Sequence, residues 1–214
     1  LDFAGASFKG KEVKDVDFSQ AKNLTGPQLA QARHLESVRL PDGIDFSGAS
    51  FKGNIRYIDF SKAKNLKWTQ IARAGDTSGV VFPEDMDFTG ASFKGVDVSY
   101  MDFSKAKNLT WEQFSQAERM MCVRLPVGMD LSGASFKGKQ IEGVDFSGTK
   151  NLSWSQIRQA RNLSKVRFPA GMDFSKASFK SKEISEADFS GAVNLTWAQL
   201  AQASGLIKIK LPAG

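Results

Sequence analysis

Apolar residues recur every five positions in parts of this chain. In the first such stretch Phe3, Phe8, Val13 and Phe18 stand five apart, with small or polar residues between them. An α-helix repeats every 3.6 residues and a β-strand every two, so neither produces this spacing. We expect a chain that turns a corner every five residues and points the central apolar side chain inward.

The five-residue pattern belongs to a longer repeat that runs through all 214 residues. The motif DFSGASFKG from Asp45 recurs with few changes at four other places, in steps of 43, 42, 43 and 43 residues. A fixed period of this size is typical of a solenoid or array. The sequence therefore predicts a single solenoid of five repeats, at 1–43, 44–85, 86–128, 129–171 and 172–214. Because both termini interrupt the motif, we expect a segment of a longer array.

Each motif contributes one pair of apolar residues five positions apart, and we expect these pairs to form the core. The predicted core residues are Phe3, Phe8, Phe46, Phe51, Phe88, Phe93, Leu131, Phe136, Phe174 and Phe179.

The second half of each repeat predicts a short helix and a return strand. Thr25 precedes Gln28 by three positions, which is the spacing of a capping box, and Thr110, Ser153 and Thr196 precede a glutamine in the same way in the last three repeats. Helices of about two turns are unstable alone, so each should pack on the coil beside it. The VRLP segment then alternates as a strand and ends at a proline such as Pro126. An asparagine before each helix, such as Asn65, should fix the turn by bonds from its side chain to the backbone.

The pentapeptides ASFKG from Ala6, VDFSG from Val144 and ADFSG from Ala187 resemble the A(D/N)LXX unit of pentapeptide-repeat proteins. This resemblance implies a repeat solenoid of the right-handed quadrilateral β-helix type, in which four pentapeptides make one square coil and each repeat of about 43 residues also carries a short helix. The third pentapeptide of several repeats departs from the pattern, with Lys139 or Lys182 where a small residue is expected. The alternative is an α/β solenoid with one large coil per repeat.

Two aspartates recur in every repeat, as Asp45 and Asp59 do in the second. Like charges stacked at the strand spacing of about 4.8 Å would repel one another. Two coils per repeat would separate them by about 9.6 Å, where salt screens most of the repulsion. The pattern therefore favours two coils per repeat, with each aspartate bonded to nearby turn N–H groups.

The net charge of +6 favours acidic partners. It argues against the role of those pentapeptide-repeat proteins that protect gyrase by imitating DNA. No apolar run approaches the roughly 18–20 residues of a membrane span, and the first residues do not form a signal peptide. We expect no membrane association, and either a cytoplasmic location or delivery into a host cell as part of a secreted effector.

The sequence offers no convergent catalytic chemistry. Its single histidine, His34, and its single cysteine, Cys122, lie two repeats apart and could not meet in a solenoid. Together they could not build a structural zinc site. The aspartate columns lack the glycines of calcium-binding repeats. We expect no catalytic residue, no metal, no cofactor and no enzymatic activity in this chain.

Two columns are candidate binding residues. The first is a tryptophan at the start of four helices, namely Trp68, Trp111, Trp154 and Trp197. The second is a lysine in each motif, namely Lys9, Lys52, Lys94, Lys137 and Lys180. The indoles could pack between consecutive helices or form an interaction stripe. The lysines could be a solvated face or could meet an acidic protein or nucleic-acid phosphates. No aromatic residue alternates with the lysines, which disfavours nucleic acid.

These observations favour a non-catalytic binding or scaffold module for protein–protein recognition with an unknown protein partner, because repeat solenoids offer extended surfaces. The resemblance adds an alternative, since similar segments occur in secreted bacterial effectors, including HECT-like ubiquitin ligases. The chain would then recognise substrates for a catalytic domain outside it. A third hypothesis is a nucleic-acid binder that uses the lysine face. Uncapped first and last repeats would also allow end-to-end self-association.

Overall fold

The computed structural model describes residues 1–160 and 162–213. Gly214, at the end of the predicted fifth repeat, lies outside the described residues. The three strands β1 (Glu12–Lys14), β2 (His34–Glu36) and β3 (Asn54–Arg56) form a parallel sheet in the order β1-β2-β3. The five helices are α1 (Gly26–Leu29), α2 (Trp68–Ile71), α3 (Trp111–Phe114), α4 (Trp154–Ile157) and α5 (Trp197–Leu200).

Isolated parallel bridges continue this pairing along the chain. They join residues 19 to 22 positions apart, as in Asp17 with Arg39, Asp45 with Lys64 and Asp145 with Arg167. A bridge therefore spans about half of a repeat, which is the pairing expected when each repeat makes two turns. At several bridges a cation lies beside an aspartate, so the bridged neighbour of the acid offsets its charge. The closed square coil stays a prediction.

The chain divides into two compact units. Unit 1 comprises Leu1–Leu109 and Gln113–Glu118, and unit 2 comprises Thr110–Glu112 and Arg119–Gly214. Each unit has its own apolar core. The side chains of eight of the ten predicted core residues are at most 1% exposed, namely Phe46, Phe51, Phe88 and Phe93 in unit 1 and Leu131, Phe136, Phe174 and Phe179 in unit 2. Phe3 and Phe8 are only partly buried.

Each helix is a single turn of four residues, shorter than the two turns that the sequence predicts. After α1 the backbone leaves the helix and bonds to the first half of the same repeat. The Gly10 amide donates to the Gln31 carbonyl at 3.2 Å, and the Arg33 amide donates to the Lys11 carbonyl at 2.9 Å. These bonds fix the backbone beside β1, so the helix cannot continue.

The glutamine in each capping box also tethers its helix to the phenylalanine motif. The Thr25 amide donates to Gln28 Oε1 at 2.8 Å, while Gln28 Nε2 donates to the carbonyls of Phe3 and Ala6 at 2.9 and 3.0 Å. Gln113 makes the equivalent bonds to Phe88 and Ala91. The sequence predicted the cap but not the tether, which fixes each short helix on its own repeat.

An aspartate–asparagine pair closes the turn before each helix. In the second repeat Asp45 Oδ1 accepts the Ser47 amide at 2.7 Å, and Asp45 Oδ2 accepts Asn65 Nδ2 at 3.0 Å. These two bonds, the backbone bond first, hold the pKa of Asp45 below its ordinary value. The asparagine bonds to a carboxylate rather than to the backbone as expected, and its φ of 57° lies in the left-handed region that asparagine tolerates.

Candidate binding surfaces

Three of the four candidate tryptophans are buried. Trp68 lies on Phe93, with 4.4 Å between ring centroids, and its Nε1 donates to the Ser92 carbonyl at 3.1 Å. Within unit 2, Trp111 lies 4.7 Å from Phe136, and Trp154 lies on the next phenylalanine pair in the same way. The three indoles therefore contribute mainly to the core, and only a small part of Trp68 and of Trp154 lines a surface pocket. They pack on the motif of the following repeat, which is a different contact from packing between helices.

Trp197 differs from the other three, because 67% of its surface is exposed. No phenylalanine pair covers this indole within the described residues. Leu211 is also exposed, whereas its equivalents one and three repeats earlier, Phe168 and Phe82, are buried. Trp197 and Leu211 are therefore exposed apolar residues of unit 2 whose equivalents in other repeats are buried.

The lysine candidates all reach solvent. None of the five takes part in an ion pair among the described residues; they are Lys9, Lys52 and Lys94 in unit 1 and Lys137 and Lys180 in unit 2. Other lysines in the chain do pair, as Lys62 does with Asp42 at 2.7 Å. The candidate lysines are thus available cations, which suits either a solvated face or an acidic ligand.

Two tyrosines are a surface feature that the sequence analysis missed. Tyr57 and Tyr100 occupy equivalent positions in successive repeats of unit 1, and they are 48% and 54% exposed. Both have positive φ, 53° and 64°, where a large side chain is uncommon. The equivalent residues of other repeats include Asp15 and Gly143. The signal that could have revealed the tyrosines is therefore an aromatic residue, in two repeats, at a position that is small or polar in the others.

Tyr57 lies beside Gly79 on the surface of unit 1. A Cβ atom added to Gly79 would stand 2.3 Å from Tyr57 Cδ1, so only glycine leaves room for this ring. The Arg56 guanidinium lies 5.5 Å from the ring centroid. Arg56 Nε lies 3.2 Å from Asp76 Oδ2, although the two are not aligned for a hydrogen bond. The ring is therefore held in place while one side remains open.

A groove of about 1010 Å³ runs beside Tyr57 in unit 1. Its charged lining residues are the acids Asp15, Asp17, Asp42 and Asp59 and the cations Arg39 and Lys62. Arg39 pairs with Asp17 at 3.4 Å and Lys62 with Asp42, which leaves two acids without an ion pair among the described residues. The groove is therefore locally acidic in a chain whose net charge is positive.

His34 and Cys122 each lie near a glutamate. His34 Nε2 lies 3.2 Å from Glu36 Oε2 in β2, but the two are not aligned for a hydrogen bond, and this buried nitrogen has no hydrogen-bond partner among the described residues. Burial, and then the nearby carboxylate of Glu142, raise the pKa of the Cys122 thiol. A raised pKa disfavours the thiolate that a nucleophilic cysteine needs. In the described part of the chain, no group of three or more His, Cys, Asp or Glu residues is gathered as a metal site would require.

None of the helices in the described residues is long and apolar enough to cross a membrane. No protein-family model matches the chain, and no curated protein matches it.

Proposed function

We propose that this chain is a non-catalytic protein-recognition module, and that its contact surface is the acidic groove of unit 1 with Tyr57 at its edge. The observation that carries the proposal is the exposed tyrosine, held against Gly79 in a left-handed conformation beside a concave polar surface. The same corner is left-handed in all five repeats, as at Asp15 and Glu186, so the large aromatic side chain is what distinguishes Tyr57 from most of its equivalents. Tyrosine is also enriched among the side chains that dominate binding energy at protein interfaces.

The scaffold that we propose for this role is a pentapeptide-type β-helical solenoid. The parallel bridges at half-repeat spacing and the buried phenylalanine pairs support it. Such a scaffold holds corner residues at fixed separations, so little entropy is lost when a partner binds.

The chemistry of the groove favours a partner segment with positive charge. Asp15 and Asp59 provide two carboxylates that make no ion pair among the described residues, while the ring of Tyr57 can stack on an aromatic or a guanidinium group. An extended lysine- or arginine-containing peptide would satisfy both.

Selection from a displayed library of random peptides, followed by titration of the selected peptides, tests this proposal. We expect sequences rich in Arg or Lys, and we expect Tyr57→Ala to weaken their binding about tenfold or more. The isosteric pair Asp15→Asn and Asp59→Asn should weaken binding and reduce its salt dependence.

Tyr100→Ala is the matched control, because it removes the same side chain from the equivalent corner without touching the groove. Equal binding by the wild type and by the Tyr57 and Asp variants would contradict the groove as the contact surface.

The unpaired lysines support a second candidate, namely an acidic partner such as nucleic acid. Fluorescence anisotropy with duplex and single-stranded DNA should then show affinity that falls steeply with salt and that is lost in Lys52→Glu/Lys94→Glu. Absence of binding at low salt would remove this candidate.

A further inference from the structure

Acids and cations alternate at one set of parallel bridges, and the second repeat breaks the alternation. In unit 2 the bridged residues are, in order, Arg124, Asp145, Arg167, Asp188 and Lys210. In unit 1 Asp17 is bridged to Arg39 in the same way. Val81, however, is bridged to Asp59 on one side and to Asp102 on the other. Val81 thus occupies the position at which every other repeat has an arginine or a lysine.

Unit 2 shows how a cation at this position is held. Arg167 lies between two carboxylates, with Nη1 3.2 Å from Asp145 Oδ2 and Nε 3.7 Å from Asp188 Oδ2. Only 19% and 15% of these two aspartate side chains are exposed. Two bridged aspartates therefore form a two-sided site for a guanidinium group.

The second repeat has the same backbone at this position without the cation. The Val81 amide donates to the Ile58 carbonyl at 3.0 Å, and the Val81 carbonyl accepts the Phe60 amide at 2.9 Å. The backbone of Arg167 makes the equivalent two bonds in unit 2, to Val144 and Phe146. The flanking acids of the second repeat are therefore placed as they are around Arg167, with an uncharged side chain between them.

The acid on one side of Val81 lacks a cation. Asp59 accepts the Ser61 amide at 2.8 Å but makes no ion pair among the described residues. Arg39, the preceding cation of the alternation, pairs with Asp17 instead, at 3.4 Å. A cation placed over Val81 would give Asp59 the ion pair that it lacks.

The surface at Val81 is also open and concave. Val81 is 39% exposed, and it lines a cavity of about 230 Å³. The one cation among the lining residues, Lys105, is paired with Glu84. Ser61 lines both this cavity and the groove beside Tyr57, so the two adjoin. A long basic side chain entering from the groove could lay its aliphatic stem on Val81 and its charged head beside the acids.

We propose that the partner of the groove inserts an arginine side chain over Val81, with its guanidinium group between Asp59 and Asp102. This inference rests on the proposed function, and it adds the identity and the position of one anchoring residue of the partner. Arginine is favoured over lysine because a planar guanidinium group can bond to carboxylates on two sides, as Arg167 does in unit 2. Val81 is then a specificity-determining residue, because it leaves open a position that the other repeats fill with their own cation.

NMR titration of the 214-residue chain with the tripeptide Gly-Arg-Gly, blocked at both ends, tests this proposal. We expect the backbone amide signals of Asp59, Val81 and Asp102 to shift, and we expect the affinity to fall as salt is added. The citrulline tripeptide has nearly the same shape without the charge, so it should leave these signals in place. The lysine tripeptide should bind more weakly than the arginine tripeptide.

Val81→Arg fills the position with a cation of the chain itself. The affinity for Gly-Arg-Gly should fall about tenfold or more, because like charges would meet. The urea midpoint should not fall, since the other repeats carry a cation here. Asp59→Asn keeps the shape of the carboxyl group and should also weaken binding.

Val127→Arg is the matched control. It adds the same side chain at a valine that is 78% exposed and that lines neither the groove nor the cavity. Binding of Gly-Arg-Gly should be unchanged. An equal loss in Val81→Arg and Val127→Arg would overturn the proposal, because it would reflect the net charge of the chain and not a site.

The remaining outcomes separate this inference from the proposed function. Selected basic peptides that lose binding in Tyr57→Ala but not in Val81→Arg would leave the proposed function in place and overturn the arginine site. If neither the selected peptides nor Gly-Arg-Gly bind, both proposals fail. Equal binding of the arginine and citrulline tripeptides would overturn the pairing with the acids, and equal binding of the arginine and lysine tripeptides would overturn the choice of arginine.

Discussion

The first and third repeats of unit 1 carry nearly the same nine residues and yet differ in burial. Phe88 is fully buried beneath Trp68, whereas Phe3, in a nearly identical motif, is only partly buried. Phe88 stacks on Phe93 and Phe3 stacks on Phe8, with 6.0 and 6.1 Å between ring centroids. The stacked geometry therefore forms with or without a covering indole, while burial comes from the neighbouring repeat. This division is the one expected of a repeat array, in which each interface adds its own contribution to stability.

The sharpest test of this difference is truncation of the two equivalent rings. Phe88→Ala should lower the free energy of unfolding by about 3–5 kcal/mol, because it leaves a cavity in a packed core. Phe3→Ala should cost only about 1–2 kcal/mol, because less apolar surface returns to water. Urea unfolding followed by tryptophan emission measures both. Equal losses would mean that the burial of a ring does not decide how much it contributes to the free energy of unfolding.

The tryptophans allow the same comparison within unit 2. Trp154→Ala should destabilise the unit by about 3–5 kcal/mol, since its indole lies buried on Phe174 and Phe179. Trp197→Ala should change the stability of the monomer by less than about 0.5 kcal/mol. Urea unfolding of the two variants measures both losses. A large loss at Trp197 would contradict the exposure of this indole.

Much of the interior followed from sequence because its pattern is local. A ring every five residues, such as Phe46 and Phe51, predicts an inward side chain whatever the longer-range pairing. The capping boxes of α1 and α5 followed from two residues three positions apart. Their extra bonds to the phenylalanine motif did not, because a glutamine at this position is explained by the cap alone.

The binding surfaces were harder to predict, for two physical reasons. A tryptophan suits both a core and an interface, so spacing alone could not tell whether Trp68 or Trp197 was exposed. A corner position tolerates many residue types, so Tyr57 was one variable residue among others. Its importance becomes evident only when the groove and Gly79 are seen beside it.

A smaller effect is expected where the second repeat departs from the others. Gly26→Ala should destabilise unit 1 by about 1–3 kcal/mol, because the new methyl group would meet Phe46 and the Asp45 carbonyl. The control is Gly133→Ala, where a Cβ meets nothing within 4 Å and φ is not positive. That substitution should be neutral or stabilise by up to about 1 kcal/mol. Thermal unfolding of the two variants separates close contact from the general effect of replacing glycine, and a neutral Gly26→Ala would contradict the close packing.

The smallest effect concerns Asn65, which is common to repeats with and without a covering indole. Asn65→Gly keeps the left-handed backbone but removes the bond to Asp45, so the folded-state pKa of Asp45 should rise toward its ordinary value of 3.8. A lowered carboxyl pKa stabilises the fold above the unfolded-state value, and this contribution is lost as pH falls through the folded-state pKa. The stability difference between wild type and variant should therefore be largest near neutral pH and shrink below pH 3.8.

Asn65→Ala should cost about 0.5–1 kcal/mol more than Asn65→Gly at every pH, since alanine is strained at a φ of 57°. Urea unfolding at neutral and acid pH measures both differences. If the loss in Asn65→Gly were the same at both pH values, Asn65 would act on the turn by a route other than the carboxylate.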